Sequence, residues 1–534
     1  MNLLDWLTRR TAAESMVILC AVALLAMTPG LFGGNIITHS SMFNTVWADG
    51  FAAELAKGHW YPRYLPEAND GRGSPVFYFY APLPFYIAAP FVWLTGHAAL
   101  AVVMASTVML GLSGCAAYVF LRELAGARHA LALALVYMLL PYHLSIDIWV
   151  RGAFGEQATF IFLPFALFCL HRTQQDARYA AGLAFATAGQ IVSHLPSAMI
   201  YAAILAGFSL WLAGRNTSWR LLVIAMLSGA SGALLSSLYV LPAYTGQTFI
   251  SPRFWSGFSP ENYYLPQFNG PFDIMLLLAF VPQAVAITLV ARAMWRNAAS
   301  ASAKPWLVLA GTIAIIVSPL AIPFWHSVTP LRMIQFPWRS LAAFELAVVS
   351  LMAIALRAQT PGVDRMVRLV VTGLVITGAA MGFLRHSASP ERGAPLRMAE
   401  SVEAHLVALK SDALEYLPPC TEVLDRHLLR PPSDGLLLDD YRANPQPAGT
   451  LNTFYYPFLR FTAGGQELPT HCHESSGLAA VEGGQVPAAP VTITTQPLPV
   501  ETTASWLSLA GLLAVAALFM AGGMLNRKRT RHRA

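Results

Sequence analysis

Residues 76–97, VFYFYAPLPFYIAAPFVWLTGH, form a stretch apolar enough to enter a bilayer and long enough to cross it, and whether it crosses decides the topology of the chain. Pro75, Pro82, Pro84 and Pro90 argue against a straight span. A proline inside a helix removes a hydrogen bond and crowds the preceding turn, which suits a broken, re-entrant or interfacial helix. Charge gives the same answer. If the stretch does not fully span, one side of the membrane receives Arg9, Arg10, Arg122, Arg128, Arg172, Arg178, Arg215, Arg220, Arg292, Arg296, Lys304, Arg357, Arg365, Arg368 and the tail NRKRTRHRA. That is 19 basic residues, against seven in the short loops opposite. Counting 76–97 as a span would break this positive-inside bias.

Working outward, apolar segments recur near 16–32, 99–121, 129–146, 157–171, 179–194, 198–214, 219–241, 271–291, 305–323, 341–356, 368–385 and 504–525. We therefore expect an all-α polytopic membrane protein of about twelve spans, both termini cytoplasmic. A chain of 534 residues that is 56% hydrophobic and 12% charged carries about half the charge of a soluble protein. The net charge of +6 is spread between apolar segments and forms no stripe, so no nucleic-acid partner is expected. Met16–Phe32, preceded by Arg9 and Arg10, resembles a signal peptide, but no small-x-small cleavage site follows it. It reads as a retained first span.

This divides the chain into a transmembrane domain at 1–385 with an external loop at 33–98, an external segment at 386–503, and a final helix with a basic tail at 504–534. Shorter external loops fall at 147–156, 242–270 and 324–340. The segment 386–503 opens with helical periodicity in PLRMAESVEAHLVALKSDALEYLP. It continues with short β-prone runs, TFYYPFLRFT and PVTITTQP, between turn residues, so a small β-rich domain is expected before the last helix. Of five cysteines, Cys20, Cys115 and Cys169 lie in spans as packing residues. Cys420 and Cys472 share the external segment, where an oxidising compartment permits a disulfide, the alternative being two free thiols. HCHE at 471–474 lacks the second ligand pair of a zinc site, so no metal is assigned there.

Topology depletes the external side of cations, so the arginines left there need a reason. They lie in aromatic, proline-rich contexts: GHWYPRY (Arg63), DGRGSP (Arg72), DIWVRGAFGE (Arg151), SPRFW (Arg253) and PLRMIQFPWRS (Arg332, Arg339). A fixed guanidinium grips phosphate bidentately. The plainer reading is a helix C-cap or a headgroup contact. Asp49, after the first span, and Asp147 and Glu156, which bracket Arg151, are the carboxylates nearby. A sugar transfer that inverts the anomeric carbon needs one carboxylate as base and cationic help for the leaving phosphate. Asp49 or Asp147 as base, with Arg151 or Arg339 on the phosphate, meets both needs. The alternatives are a salt bridge from Asp49 to Lys57 or Arg63, and a helix N-terminal charge for Glu156. His194, in IVSHLPSAM, is a substrate contact or proton relay, or else a satisfied interfacial histidine.

The runs WADGFAAELAKGHWYPRYLPEANDGRGSPVFYFYAPLPFY, IDIWVRGAFGEQATFIFLPFAL, IVSHLPSA, IQFPWRSL and DALEYLP resemble a bacterial multipass family called 6-pyruvoyl-tetrahydropterin synthase-related membrane proteins. The label does not fit the chemistry, since nothing here resembles the zinc-histidine site of a soluble pterin synthase. That family is similar to the GT-C glycosyltransferases, which use polyprenyl-phosphate sugars outside the membrane. The resemblance covers most of the chain. It implies a GT-C-like fold in a bacterial inner membrane, a polyprenyl-phosphate-linked sugar donor, and a periplasmic glycan, lipid or protein acceptor. It places Asp49 where the catalytic base falls, and Asp147 or Glu156 at a second acidic position. Arg63, Arg72, Arg151, His194, Arg253, Gln335, Trp338, Arg339, Glu415 and Tyr416 follow as substrate-binding candidates. Neither loop holds an Asp-x-Asp or Glu-x-Asp pair, which weakens the case for a divalent ion. The competing readings are a transporter or flippase of a lipid-linked anion and a non-catalytic glycan-assembly protein. Against transport stand the placement of charge in loops and the lack of a midspan ionisable pair.

Overall fold

The computed structural model describes residues 10–34, 38–251, 263–268, 270–294, 300–359, 412–421 and 446–531, with scattered positions between 365 and 381. Its long helices are α1 (Ala12–Gly33), α2 (Ser41–Ala56), α3 (Leu83–Thr95), α4 (Ala98–Ala125), α5 (Ala127–Leu139), α6 (Phe154–Arg172), α7 (Tyr179–Ser193) and α8 (Leu195–Arg215). They continue as α9 (Trp219–Leu235), α10 (Ser237–Thr245), α11 (Pro271–Met294), α12 (Ser300–Ile316), α13 (Leu341–Arg357) and α14 (Pro499–Arg531). Thr11 and Glu14 start α1 with a reciprocal capping box, each side chain accepting the other's backbone N–H.

Eight helices are long and apolar enough to cross a membrane, and two further pairs are bent within one apolar stretch, by 66° at 235–237 and by 80° at 316–319. That makes up to ten spans among the described residues, against the expected twelve. The expected span at 179–194 is the 15-residue α7, and most of 368–385 lies outside the described residues. The 76–97 stretch breaks at its prolines into Val76–Phe79 and α3. At about 1.5 Å per residue, the 13 residues of α3 reach roughly 20 Å, short of a hydrocarbon core of about 30 Å.

The bundle closes around α13, in which every residue from Leu341 to Leu356 is buried. A helix apolar on all sides belongs in the interior. Outer helices carry the opposite pattern, with Leu25 and Phe32 on α1 and Leu513 and Met520 on α14 exposed, as bilayer-facing side chains should be.

Before α14 lies the small sheet region. Strands β1 (Thr450–Phe454), β2 (Leu459–Ala463), β3 (Gln466–Glu467), β4 (Thr470–Cys472), β5 (Leu478–Val481) and β6 (Val491–Thr495) form two antiparallel sheets, ordered β1-β5-β4 and β3-β2-β6. Phe454, Tyr456, Phe458 and Phe461 make its core, which continues into Tyr64 and Tyr78 of the first loop. Tyr78 stacks on Phe458 at 4.7 Å. Of the helical run expected at 395–418, only 412–418 is described, with one 3-10 turn at Leu414–Tyr416. Cys420 and Cys472 are joined in a disulfide across 6.3 Å between Cα atoms, tying this segment to β4.

Candidate functional site

The loop expected at 147–156 is almost wholly helical. Leu140 is extended, Pro141 fixes the first turn, and Pro141–Arg151 then runs as a π-helix until Gly152, at φ 60°, turns the chain into α6. The Gly152 N–H donates to Asp147 O, the five-residue spacing of a π-helix. A left-handed turn there suits glycine. α5 with the π-helix forms one span-length unit, Ala127–Arg151, and α6 starts at Phe154 after two intervening residues. Asp147, Arg151 and Glu156 therefore sit at the ends of span-length helices. Arg339 joins them from Pro337–Ser340, the short turn that leads into α13.

These residues meet. Arg151 Nη1 donates to Asp147 Oδ1 at 2.7 Å and to Glu156 Oε2 at 2.8 Å. Arg339 Nε lies 3.4 Å from the same Glu156 oxygen, and the Tyr142 hydroxyl donates to Glu156 Oε1 at 2.5 Å. Arg339 Nη1 is held by Ile334 O at 2.7 Å and Gln335 Oε1 at 3.2 Å. The Arg151 guanidinium lies over the Trp338 ring at 4.6 Å, and that of Arg339 over Phe336 at 4.9 Å. Asp147 is fully buried, and its second oxygen, Oδ2, has no hydrogen-bond partner among the described residues. Buried acceptors are seldom left so, because the lost hydration is costly. Two cations thus converge on one carboxylate beside a second that keeps an unused oxygen.

Several expected residues reach this cluster. Gln335 and Trp338 hold the two arginines as just described. His194 lies within electrostatic reach of Arg339, Glu156 and Arg151. Its Nδ1 is paired with Ser197 at the start of α8, a structural cap.

Others are placed elsewhere. Asp49 is exposed on α2, whose buried side carries Asn44, Trp47 and Phe51. Arg63 is bound to Glu501 at the start of α14 (3.2 Å), to Leu238 O (2.7 Å) and to the Tyr61 ring (4.1 Å). Arg72 donates to Asn452 of β1 at 3.2 Å. Arg253 lies outside the described residues. Glu415 and Tyr416 belong to the segment that caps the first loop. There Tyr416 packs against Trp47 at 6.0 Å and stacks with Phe79 at 6.2 Å, and the Trp47 indole donates to Asp412 Oδ1 at 2.7 Å. Burial pushes the Asp412 carboxyl up to about 6 and that of Glu415 up to about 7, Asp412 adding to the latter.

Composition and motif missed three contributors. Tyr80, at the break between the two short helices, lies within electrostatic reach of Arg339, Arg151 and Glu156. Tyr142 holds Glu156. Glu345, in the middle of the span Pro337–Arg357, accepts from Gln283 Nε2 at 2.9 Å. It is a single midspan ionisable group with a neutral partner, so it does not form the ionisable pair whose lack is read against transport. A lone carboxylate within LAAFELAVVSLMAIAL was a readable signal, since an ionisable residue inside a span is a functional candidate by default.

No family model and no curated protein matches the chain. Among solved structures it is similar to the crystal structure of ArnT from Cupriavidus metallidurans bound to undecaprenyl phosphate. The two share 13% identity over 68% of this chain and 78% of that one, with a TM-score of 0.30. A likeness of that size decides neither family nor activity.

Proposed function

We propose that the chain is a GT-C-type inverting glycosyltransferase. In this reading it moves a sugar from a polyprenyl-phosphate donor to a glycan, lipid or protein acceptor on the periplasmic side of a bacterial inner membrane. Both termini are then cytoplasmic, the orientation favoured by the 19-to-seven asymmetry of basic residues. One observation carries the reading: Arg151 and Arg339 converge beside an Asp147 oxygen that has no hydrogen-bond partner among the described residues.

Asp147 Oδ2 takes the proton of the acceptor hydroxyl as that oxygen attacks the anomeric carbon. The bond from the anomeric carbon to the phosphate oxygen breaks, and its electron pair leaves with the polyprenyl phosphate. Arg151 and Arg339 receive that charge, in a site whose burial strengthens the contact. Glu156, fixed by Tyr142, keeps the two guanidiniums aimed at one point between turnovers. Asp147 is the base in preference to Asp49, which is exposed on α2. Arg151 and Arg339 are the cations placed to carry the phosphate.

The placement of charge on span-length helices favours a second reading, transport of a lipid-linked anion. One experiment separates the two. Purified full-length protein in nanodiscs is given a radiolabelled polyprenyl-phosphate sugar pool, with D147N and D49N alongside. D147N should lose transfer by at least about a hundredfold, the scale of a missing general base. Activity that survives D147N sinks the assignment, and lipid translocation in vesicles without transfer favours the second reading.

A further inference from the structure

Glu345 lies outside the transfer chemistry just described, yet it meets the element that carries that chemistry. Its side chain is fully buried, and its two oxygens take three donors. Oε1 accepts the Tyr142 N–H at 2.7 Å and Gln283 Nε2 at 2.9 Å, and Oε2 accepts the His143 N–H at 3.0 Å. Tyr142 and His143 are the second and third residues of the π-helix, directly after Pro141. The first N–H groups of any helix lack partners within it, and a proline at the first position has none to offer. In a π-helix each bond reaches five residues back, so more such donors are left over than in an α-helix. Glu345 supplies their acceptors from a different helix.

That end of the π-helix controls the other. Tyr142, Asp147 and Arg151 project from one eleven-residue element; Asp147 and Arg151, four residues apart, can meet in either register, but Tyr142, nine residues before Arg151, shares their face only in the wider turn. In the tighter α register the same three side chains would be turned about the axis relative to one another. We infer that Glu345 is a positioning residue that clamps the start of the π-helix and so sets where Asp147 and Arg151 stand. The inference rests on the sugar-transfer reading for its consequence and on the backbone contacts alone for its geometry. His143, the second clamped residue, is fixed on its other sides as well. Its ring stacks on Phe160 at 3.8 Å, and its Nδ1 lies 3.1 Å from Tyr137 O. The clamped turn is therefore rigid, and register is passed along it instead of being absorbed in it.

The test uses the full chain in nanodiscs, with E345Q, E345A and, as a control from the same helix, S350A. A glutamine presents one oxygen and one NH₂ where the carboxylate presents two oxygens, so E345Q leaves one backbone N–H facing another donor while keeping size. It remains informative if E345A does not fold. Hydrogen exchange of the peptide covering 141–152 should rise about tenfold or more in E345Q, the scale of one lost charge-assisted bond, with other peptides and S350A unchanged. Undecaprenyl phosphate, the lipid probe, should bind E345Q about tenfold more weakly. Unchanged exchange across 141–152 overturns the clamp. Raised exchange with unchanged lipid binding and turnover overturns the positioning role and leaves a structural one. If the wild type itself fails to bind undecaprenyl phosphate while exchange in E345Q still rises, the donor reading fails and the clamp stands.

Discussion

Two largely enclosed arginines in this protein sit among the same kinds of neighbour and are partnered differently. Arg63 is surrounded by Tyr61, Tyr78 and Glu501, and Arg151 by Tyr142, Trp338 and Glu156. Around Arg63 the charges balance one to one, and the Tyr78 hydroxyl takes the second Glu501 oxygen at 2.8 Å. The result joins the first loop to the start of α14. Around Arg151 a second guanidinium shares one Glu156 oxygen, and a second carboxylate keeps an oxygen without a partner. Both sites leave a buried polar atom unpartnered, Nη1 of Arg63 and Oδ2 of Asp147; what differs is the second guanidinium that shares the Glu156 carboxylate, and on the proposed reading that surplus cation receives the phosphate. Residue type and context in the sequence are alike for the two, so the distinction lives in the accounting of partners.

The comparison breaks most sharply by deletion. R151A should lower transfer by about a thousandfold, since it removes a fixed cation from the departing phosphate. It is read as turnover of the labelled donor, normalised to folded protein. R63A should leave turnover per folded molecule near wild type and instead cost about 3 kcal/mol of stability, the scale of a buried pair losing one partner. Thermal unfolding in detergent reads that cost. Equal losses of turnover in the two variants would erase the distinction between them.

Much of the fold was legible because lipid imposes one rule on every span. Apolar length marks the helices, and proline marks the break at 80–82. The site was legible only in part. Arg151, Glu156 and Arg339 were named from charge left where topology should have removed it. The π-helix was not, because DIWVRG carries the polar residues of a loop and its register is set by Glu345, about 200 positions away. Arg63 was read as a ligand because its true partner, Glu501, stands at the start of the last helix. Local pattern reports neither pairing, since both are long-range contacts between single side chains and distant elements.

A third test sharpens the structural side. The Cys420–Cys472 bond closes a separation of 52 residues. Replacing both cysteines with serine should cost about 2–4 kcal/mol of the sheet region's stability, by freeing the unfolded chain. Limited proteolysis after β4 measures it, and turnover should fall far less than in R151A. The fourth test is pH. Asp412 and Glu415 have carboxyls raised to about 6 and about 7, so the folded segment holds protons that the unfolded one releases near pH 4. Its contribution to stability is fully present below about pH 4 and is lost as pH rises through 6 and 7, by about 1–3 kcal/mol. Local exchange at 412–417 should therefore quicken between pH 5 and pH 8 beyond the chemical rate. D412N should flatten most of that slope, Asp412 being the more enclosed of the two.

The smallest expected effect decides the most about how the site is read. Asp49 is the residue that motif resemblance puts forward as base, and the structure sets it in solvent on α2 while Trp47 and Asn44 point inward. Trp47 donates to Asp412 and Asn44 Nδ2 to Gly152 O, so that helix does touch the site, through other side chains. An exposed carboxylate has no fixed geometry toward a hydroxyl. D49N should then change turnover by less than about threefold and stability by about 0.5 kcal/mol or less, where N44A, which frees the turn at Gly152, should do more. A D49N loss as large as that of D147N would move the base to α2. It would require that helix to rotate when the acceptor binds, and would turn the unpartnered oxygen of Asp147 from a catalytic group into a substrate contact.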